Sequence, residues 1–233
     1  MIPYAPIRAS SILCGGPEYR DPAQLCAKIS NGSSICPRVL LVVLLDEALM
    51  EFDLGLPADS STTLGRIRKL DPDSCDLAIQ HAKLGDSEAE RFLADHQNET
   101  HDTLMAYHCV PLVRATLALQ RGKPLDAIAA LESATPYEMA NCRVPSLRGN
   151  AYLQANQPEK AALEYEKILA NPGADAVNWL YPLAYVGLAR AYALENRKTE
   201  SRAEYEKFFA LWKDADSDVP ILKQARLEYA RLQ

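Results

Sequence analysis

The stretch Arg148-Gly149-Asn150-Ala151-Tyr152, followed by Ala161-Ala162-Leu163-Glu164-Tyr165-Glu166-Lys167, has a second copy in the same chain. The copy is Leu188-Ala189-Arg190-Ala191-Tyr192, followed by Ser201-Arg202-Ala203-Glu204-Tyr205-Glu206-Lys207. Every aligned residue is displaced by 40 positions. A small residue recurs in the first block (Gly149, Ala189) and another in the second (Ala161, Ser201), while tyrosines recur in both. Small residues let two helices approach, and rings fill the space between them. Ile168 and Phe208 continue the apolar stripe of the second block at i+3, as one helix face requires. An internal repeat of helix pairs is the direct physical reading.

A third copy lies 34 positions before the first quoted stretch: Arg114-Ala115-Thr116-Leu117-Ala118, then Ala127-Ile128-Ala129-Ala130-Leu131. A weaker one contains His81 to Asp86, with Ala89 and Leu93. Between helix-favouring stretches stand turn signals at Gly85-Asp86, Gly122-Lys123-Pro124, Pro136, Asn156-Gln157-Pro158, Asn171-Pro172-Gly173, Asn196-Arg197 and 214–220. Only 7% of residues are aromatic, and 11 of those are Tyr, which is poor material for a sandwich or barrel. Charged residues make up 24% and the net charge is −6. That charge resides wholly beyond residue 70, because the first 70 residues carry equal numbers of acidic and basic side chains. Such a balance argues against a direct nucleic-acid binder, which needs excess Lys and Arg.

The repeat resembles the tetratricopeptide repeat, whose pattern is W-x2-L-G-x2-Y, then A-x3-F, then P. The last copy places Tyr185, Leu188, Ala189, Tyr192, Ser201 and Tyr205 on that pattern. The middle copy places Pro145, Arg148, Gly149, Tyr152, Ala161 and Tyr165 there, with Pro172 near the closing position. The earlier copy gives Pro111, Arg114, Ala115, Ala118, Ala127 and Leu131, closed by Pro136. The departures are a missing Trp, Arg in place of Leu, and a 40-residue interval that lengthens the connection from Asn171 to Pro182. The resemblance implies an all-α fold, a right-handed superhelix of antiparallel helix pairs, over residues 71–233. The segment 218–233 carries Leu222, Ala225, Tyr229 and Leu232 on one face and is expected to form a C-terminal capping helix, with Ser217 or Asp218 as N-cap. Leu188 to Leu194, Leu211 to Asp216 and Pro220 to Lys223 also look like the C-terminal repeat segment of bacterial multidomain kinases and winged-helix regulators.

Residues 1–70 differ in texture and remain undetermined in fold. Asp21 to Ile29 reads as a short helix, with Pro22 at its first position. The apolar run Val39 to Leu45 is too short to span a membrane and too far from the start for a secretory signal. It extends into a helix-favouring stretch ending near residue 54, which is expected to cap the N-terminal end of the array. Six cysteines occur without a CxxC pair, and a reducing, cytoplasmic setting with free thiols is the expectation. Cys75, Cys109 and Cys142 stand 34 and 33 apart, at equivalent places in successive repeats. A disulfide among them is not expected, because helix axes pack about 8–10 Å apart and a disulfide needs Cα atoms within about 7 Å. His101 and His108 with Cys109 form a loose set too weak to predict a metal, and no cofactor is expected.

Catalytic motifs are absent from the sequence: there is no P-loop, GxSxG, HExxH or kinase signature. The first helices of such an array line its concave face. Thr116, Gln120, Arg143, Asn150, Gln154 and Arg190 are expected to project there as a polar, mildly basic strip. Asn150 and Gln154 suit a peptide backbone, while Arg143 and Arg190 suit its carboxylates. Some members of the family hold chaperone C-termini with a clamp of Lys, Asn and Arg, of which only Asn150 corresponds here. The expectation is a non-catalytic scaffold for a protein or peptide partner. The alternative is a regulatory or sensory segment whose output lies in another domain or chain.

Overall fold

Four times among the described residues a helix ends on a left-handed residue, and a second helix begins two residues later. The left-handed residues are Gly85, Gly122, Asn156 and Asn196, with φ of 70°, 68°, 54° and 61°. In each turn the left-handed residue donates its N–H to the carbonyl three back, and the next residue donates to the carbonyl five back. The second set of bonds is Asp86 to His81, Lys123 to Ala118, Gln157 to Tyr152 and Arg197 to Tyr192, at 2.8–3.0 Å. This pair of bonds is the Schellman motif, which satisfies the orphan carbonyls of a helix end and reverses the chain.

The computed structural model describes residues 48–56, 58, 64, 74–98, 101–138, 142–172 and 179–232. Every regular element among them is helical. The first pair is α1 (Cys75–Leu84) and α2 (Ser87–Asp95). A π turn at Met105–Cys109 then runs into α3 (Val110–Gln120), which pairs with α4 (Pro124–Ala130). Pro111 offers no N–H to the carbonyl of Tyr107, where an unbroken α-helix needs one. A 3-10 turn, Glu132–Tyr137, closes that repeat around Pro136. The remaining pairs are α5 (Arg143–Gln154) with α6 (Pro158–Ala170), and α7 (Leu180–Leu194) with α8 (Lys198–Leu211). The last helix is α9 (Pro220–Ala230), which begins one or two residues later than expected, and its N-cap is Val219, whose side chain makes no capping bond. Pro182 falls inside α7 rather than in the preceding connection.

Each first helix packs on its own second helix and on the first helix of the next pair: α1 on α3, α3 on α5, α5 on α7. The residues that permit this are small and fully buried, among them Ala82, Ala115, Ala151, Ala161 and Ala189. Tyr165 is the wedge between repeats. A Cβ added at Gly149 or Gly187 would meet its ring at 2.8 and 2.4 Å, so both helices need glycine there. At the C-terminal end Leu222 and Ala225 of α9 cover Phe208 of α8 and its C-cap residue Trp212. Full burial of a side chain such as Phe208 or Leu222 contributes roughly 1.5–3 kcal/mol.

Arg148 stands where the family pattern has Leu, and it is buried. It pairs with Glu138 and with Glu164, at 3.1 Å for the latter, and donates to Thr135 Oγ1 at 3.0 Å. Lys167 reaches the same two carboxylates. A buried cation is tolerable only with such partners.

The cysteine expectation is corrected. Cys75 and Cys109 form a disulfide with their Cα atoms 5.5 Å apart, and Cys142 is buried. The 8–10 Å packing distance refers to helix axes, whereas Cα atoms on facing sides lie about 4.6 Å closer together. Cys109 is therefore committed to Cys75, not to a set with His101 and His108. Disulfides persist in oxidising compartments, so the cytoplasmic expectation loses the free-thiol argument behind it. No helix among the described residues is long and apolar enough to cross a membrane.

The expected cap at residues 39–54 is also corrected in part. Residues 39–47 and the helix proposed at 21–29 lie outside the described residues. Residues 48–53 are helical, but they do not simply cover the N-terminal end. Leu49 joins the apolar cluster of α1 and α3, while Met50 and Leu54 join that of α7, α8 and α9. The segment crosses from one end of the array to the other.

Candidate functional site

The repeat register places Thr116, Asn150 and Arg190 at one equivalent position of α3, α5 and α7. The side chains come together on the wall of a cavity of about 200 Å³, which Arg143 also lines. Four of the six expected residues are thus brought to one place. Gln120 and Gln154 are not: both are exposed at the C-terminal ends of their helices, away from this cavity.

Each of these four residues already has a partner. Thr116 donates its hydroxyl to the Leu112 carbonyl at 2.7 Å, within its own helix. Asn150 Oδ1 accepts from the buried Tyr165 hydroxyl at 2.8 Å, which leaves the Asn150 NH2 group as the donor. Burial holds the Tyr165 phenol well above its ordinary value, against the opposing charge of Arg190. Arg143 pairs with Asp76 of α1. Arg190 binds Glu228 of α9 through both Nε and Nη2, at 2.9 and 3.1 Å. Burial opposes the Arg190 charge, but Glu228 more than restores it, and the guanidinium stays protonated.

The expectation that Arg143 and Arg190 stand ready for a partner's carboxylates is therefore corrected. The chain's own carboxylates hold both, and the strip is close to neutral. Sequence spacing cannot show this, because Asp76 and Glu228 lie 67 and 38 residues from their partners.

A second group on the same wall was not read from the sequence. Lys83 Nζ donates to Asp53 Oδ1 at 2.5 Å, and Trp179 Nε1 donates to Asp53 Oδ2 at 3.0 Å. Lys83 also lies over the Phe52 ring, 5.4 Å from its centre. Burial pulls the Lys83 pKa below its ordinary value, and Asp53 opposes that pull. Trp179 packs against all three apolar clusters of the molecule. One signal for Lys83 was available. It stands two residues before the turn glycine Gly85, the place that Gln120 and Gln154 occupy before Gly122 and Asn156. Asp53 and Trp179 carried no such signal, since neither belongs to the repeated pattern.

Chemically the cavity offers an amide, the hydroxyls of Thr116, Ser146 and Tyr165, a Trp N–H and three guanidinium or ammonium groups, each cation matched by a carboxylate among the described residues. Among the described residues no cluster of His, Cys, Asp and Glu is arranged to hold a metal ion. No family model matches the chain, nor does any curated protein or solved structure.

Proposed function

We propose that this chain is a non-catalytic scaffold of the tetratricopeptide type, and that it binds a protein or peptide partner along the face made by its first helices. In this reading the helix pairs stack as a right-handed superhelix, with that face concave. The observation that carries it is the convergence of Thr116, Asn150, Arg190 and Arg143 on one cavity. Residues at a repeated position give a repeated, ladder-like set of contacts, which suits an extended or helical polypeptide.

Site-specific photocrosslinking tests the proposal. A benzoylphenylalanine at position 150 is expected to capture a separate polypeptide in lysate of the source cells. The same group at Leu163, exposed on α6, is expected to capture little. Equal labelling from both positions, or none from either, would overturn the reading.

The narrower resemblance supports a second reading, a regulatory segment within a signalling or transcription-controlling system. What favours it is the chain's own helix seated on the face a partner would use. An in-frame kinase or winged-helix sequence upstream of Met1 would support it.

A further inference from the structure

We infer that residues 48–56 are an exchangeable internal ligand of the first-helix face. The partner of that face is then a short amphipathic helix with a carboxylate at the place of Asp53 and apolar residues at those of Leu49, Met50 and Leu54. The inference rests on the partner-binding reading above.

The seating of the segment has the form of a helix bound in a groove. Leu49, Met50, Asp53 and Leu54 follow the i, i+1, i+4, i+5 pattern and so share one helix face. The three apolar members are all buried, Leu49 against one end of the array and Met50 and Leu54 against the other. The Leu54 carbonyl accepts from the Ile221 N–H at 3.2 Å. Gly55, at φ 88°, then turns the chain away beside Pro220, where a Cβ would come within 2.9 Å.

The chemistry of the partner follows from the fixed side of the contact. Lys83 and Trp179 belong to the array and both donate to one carboxylate. The Lys83 side chain is only 14% exposed beneath the segment, so an occupant that covered it without bringing a carboxylate would leave a largely desolvated cation unpaired, an unfavourable state. A basic helix is excluded for the same reason. Residues 57–73 join the segment to α1 within one chain, so it competes intramolecularly with any ligand in trans. A partner in trans must overcome that competition, so the internal helix sets the threshold for binding.

The probe is a fluorescein-labelled synthetic peptide of residues 46–58, read by anisotropy against the full chain. Substituting Leu49→Ala and Leu54→Ala in the chain weakens the internal segment. That variant is expected to bind the peptide at least ten-fold more tightly than the wild-type chain does. A peptide carrying Asp53→Ala is expected to bind at least ten-fold more weakly, and Lys83→Met in the variant chain should erase that difference. Should the double variant not fold, Asp53→Asn in the full chain serves in its place, with circular dichroism as the check on folding. Absence of saturable binding, or binding indifferent to Asp53, overturns the inference. Hydrogen exchange of the wild-type chain is the second measurement. Amides of 48–56 are expected to exchange well before those of α3 and α5, and equal protection would show an inseparable core helix. Crosslinking from position 150 without peptide binding overturns this inference alone. Peptide binding without any intermolecular crosslink overturns the partner reading instead.

Discussion

Glu228 accepts four hydrogen bonds from three residues: from Nε and Nη2 of Arg190, from the Tyr205 hydroxyl at 2.6 Å, and from the Gln224 amide at 2.9 Å. Burial alone would raise its carboxyl, but these donors and the Arg190 charge overcome it and hold the pKa below the ordinary value of 4.5. A carboxylate whose native pKa is depressed stabilises the fold fully above its unfolded value, and that contribution is lost as pH falls through the native value. The stability gap between wild type and Glu228→Gln is therefore expected to be open at pH 6 and to close below about pH 4.5. Urea unfolding midpoints across pH 3–6 check this, and a gap that stays constant would show that Glu228 acts through packing alone. The recurring tyrosines and small residues were legible at this scale, because their spacing repeats. The partners of Arg143, Arg190 and Lys83 were not, because an ion pair between distant elements leaves no period in the sequence.

The four helix pairs share one turn design, and the left-handed position decides what each turn tolerates. Gly122 has nothing within 4 Å of an added Cβ, so only its backbone conformation limits substitution there. Asn156 and Asn196 hold the equivalent position in the next two pairs, and Asn is the non-glycine residue best suited to it. Gly122→Asn is expected to leave stability within about 0.5 kcal/mol of wild type, while Gly122→Val costs about 1–2 kcal/mol. Denaturant midpoints of the two variants decide it, and equal losses would mean the turn is held by something other than φ. Six of the seven turn signals fall at helix ends, and the seventh, Pro136, falls in the 3-10 turn that closes the second pair. The π turn before α3 was not foreseen, since Pro111 reads equally well as a first-turn proline.

Across the molecule, two devices close long segments of chain: the Cys75–Cys109 disulfide and the crossing segment 48–56. The disulfide joins residues 34 apart in sequence. Closing a loop of that size removes unfolded-state entropy worth about 3–4 kcal/mol. Reduction is expected to lower Tm by roughly 6–16 °C, as read by calorimetry with and without dithiothreitol. An unchanged Tm would mean the reduced chain is held equally well by its packing.

The all-helical class, the four hairpins and the covering role of α9 follow from the sequence by itself. They arise from local rules, the period of apolar residues and the chemistry of turn residues, and a repeat states those rules several times over. The same register gave four residues of the cavity wall, because equivalent positions on stacked helices face the same way. Only the tertiary structure decided what those residues meet. Stacking brings residues from three separate helices, and a segment from before the array, within hydrogen-bond distance of one another. There the basic strip finds its carboxylates within the chain, and Lys83 and Trp179 find Asp53 on a helix from outside the repeats. Charge and burial depend on neighbours in space, and the linear pattern holds no record of neighbours that do not repeat.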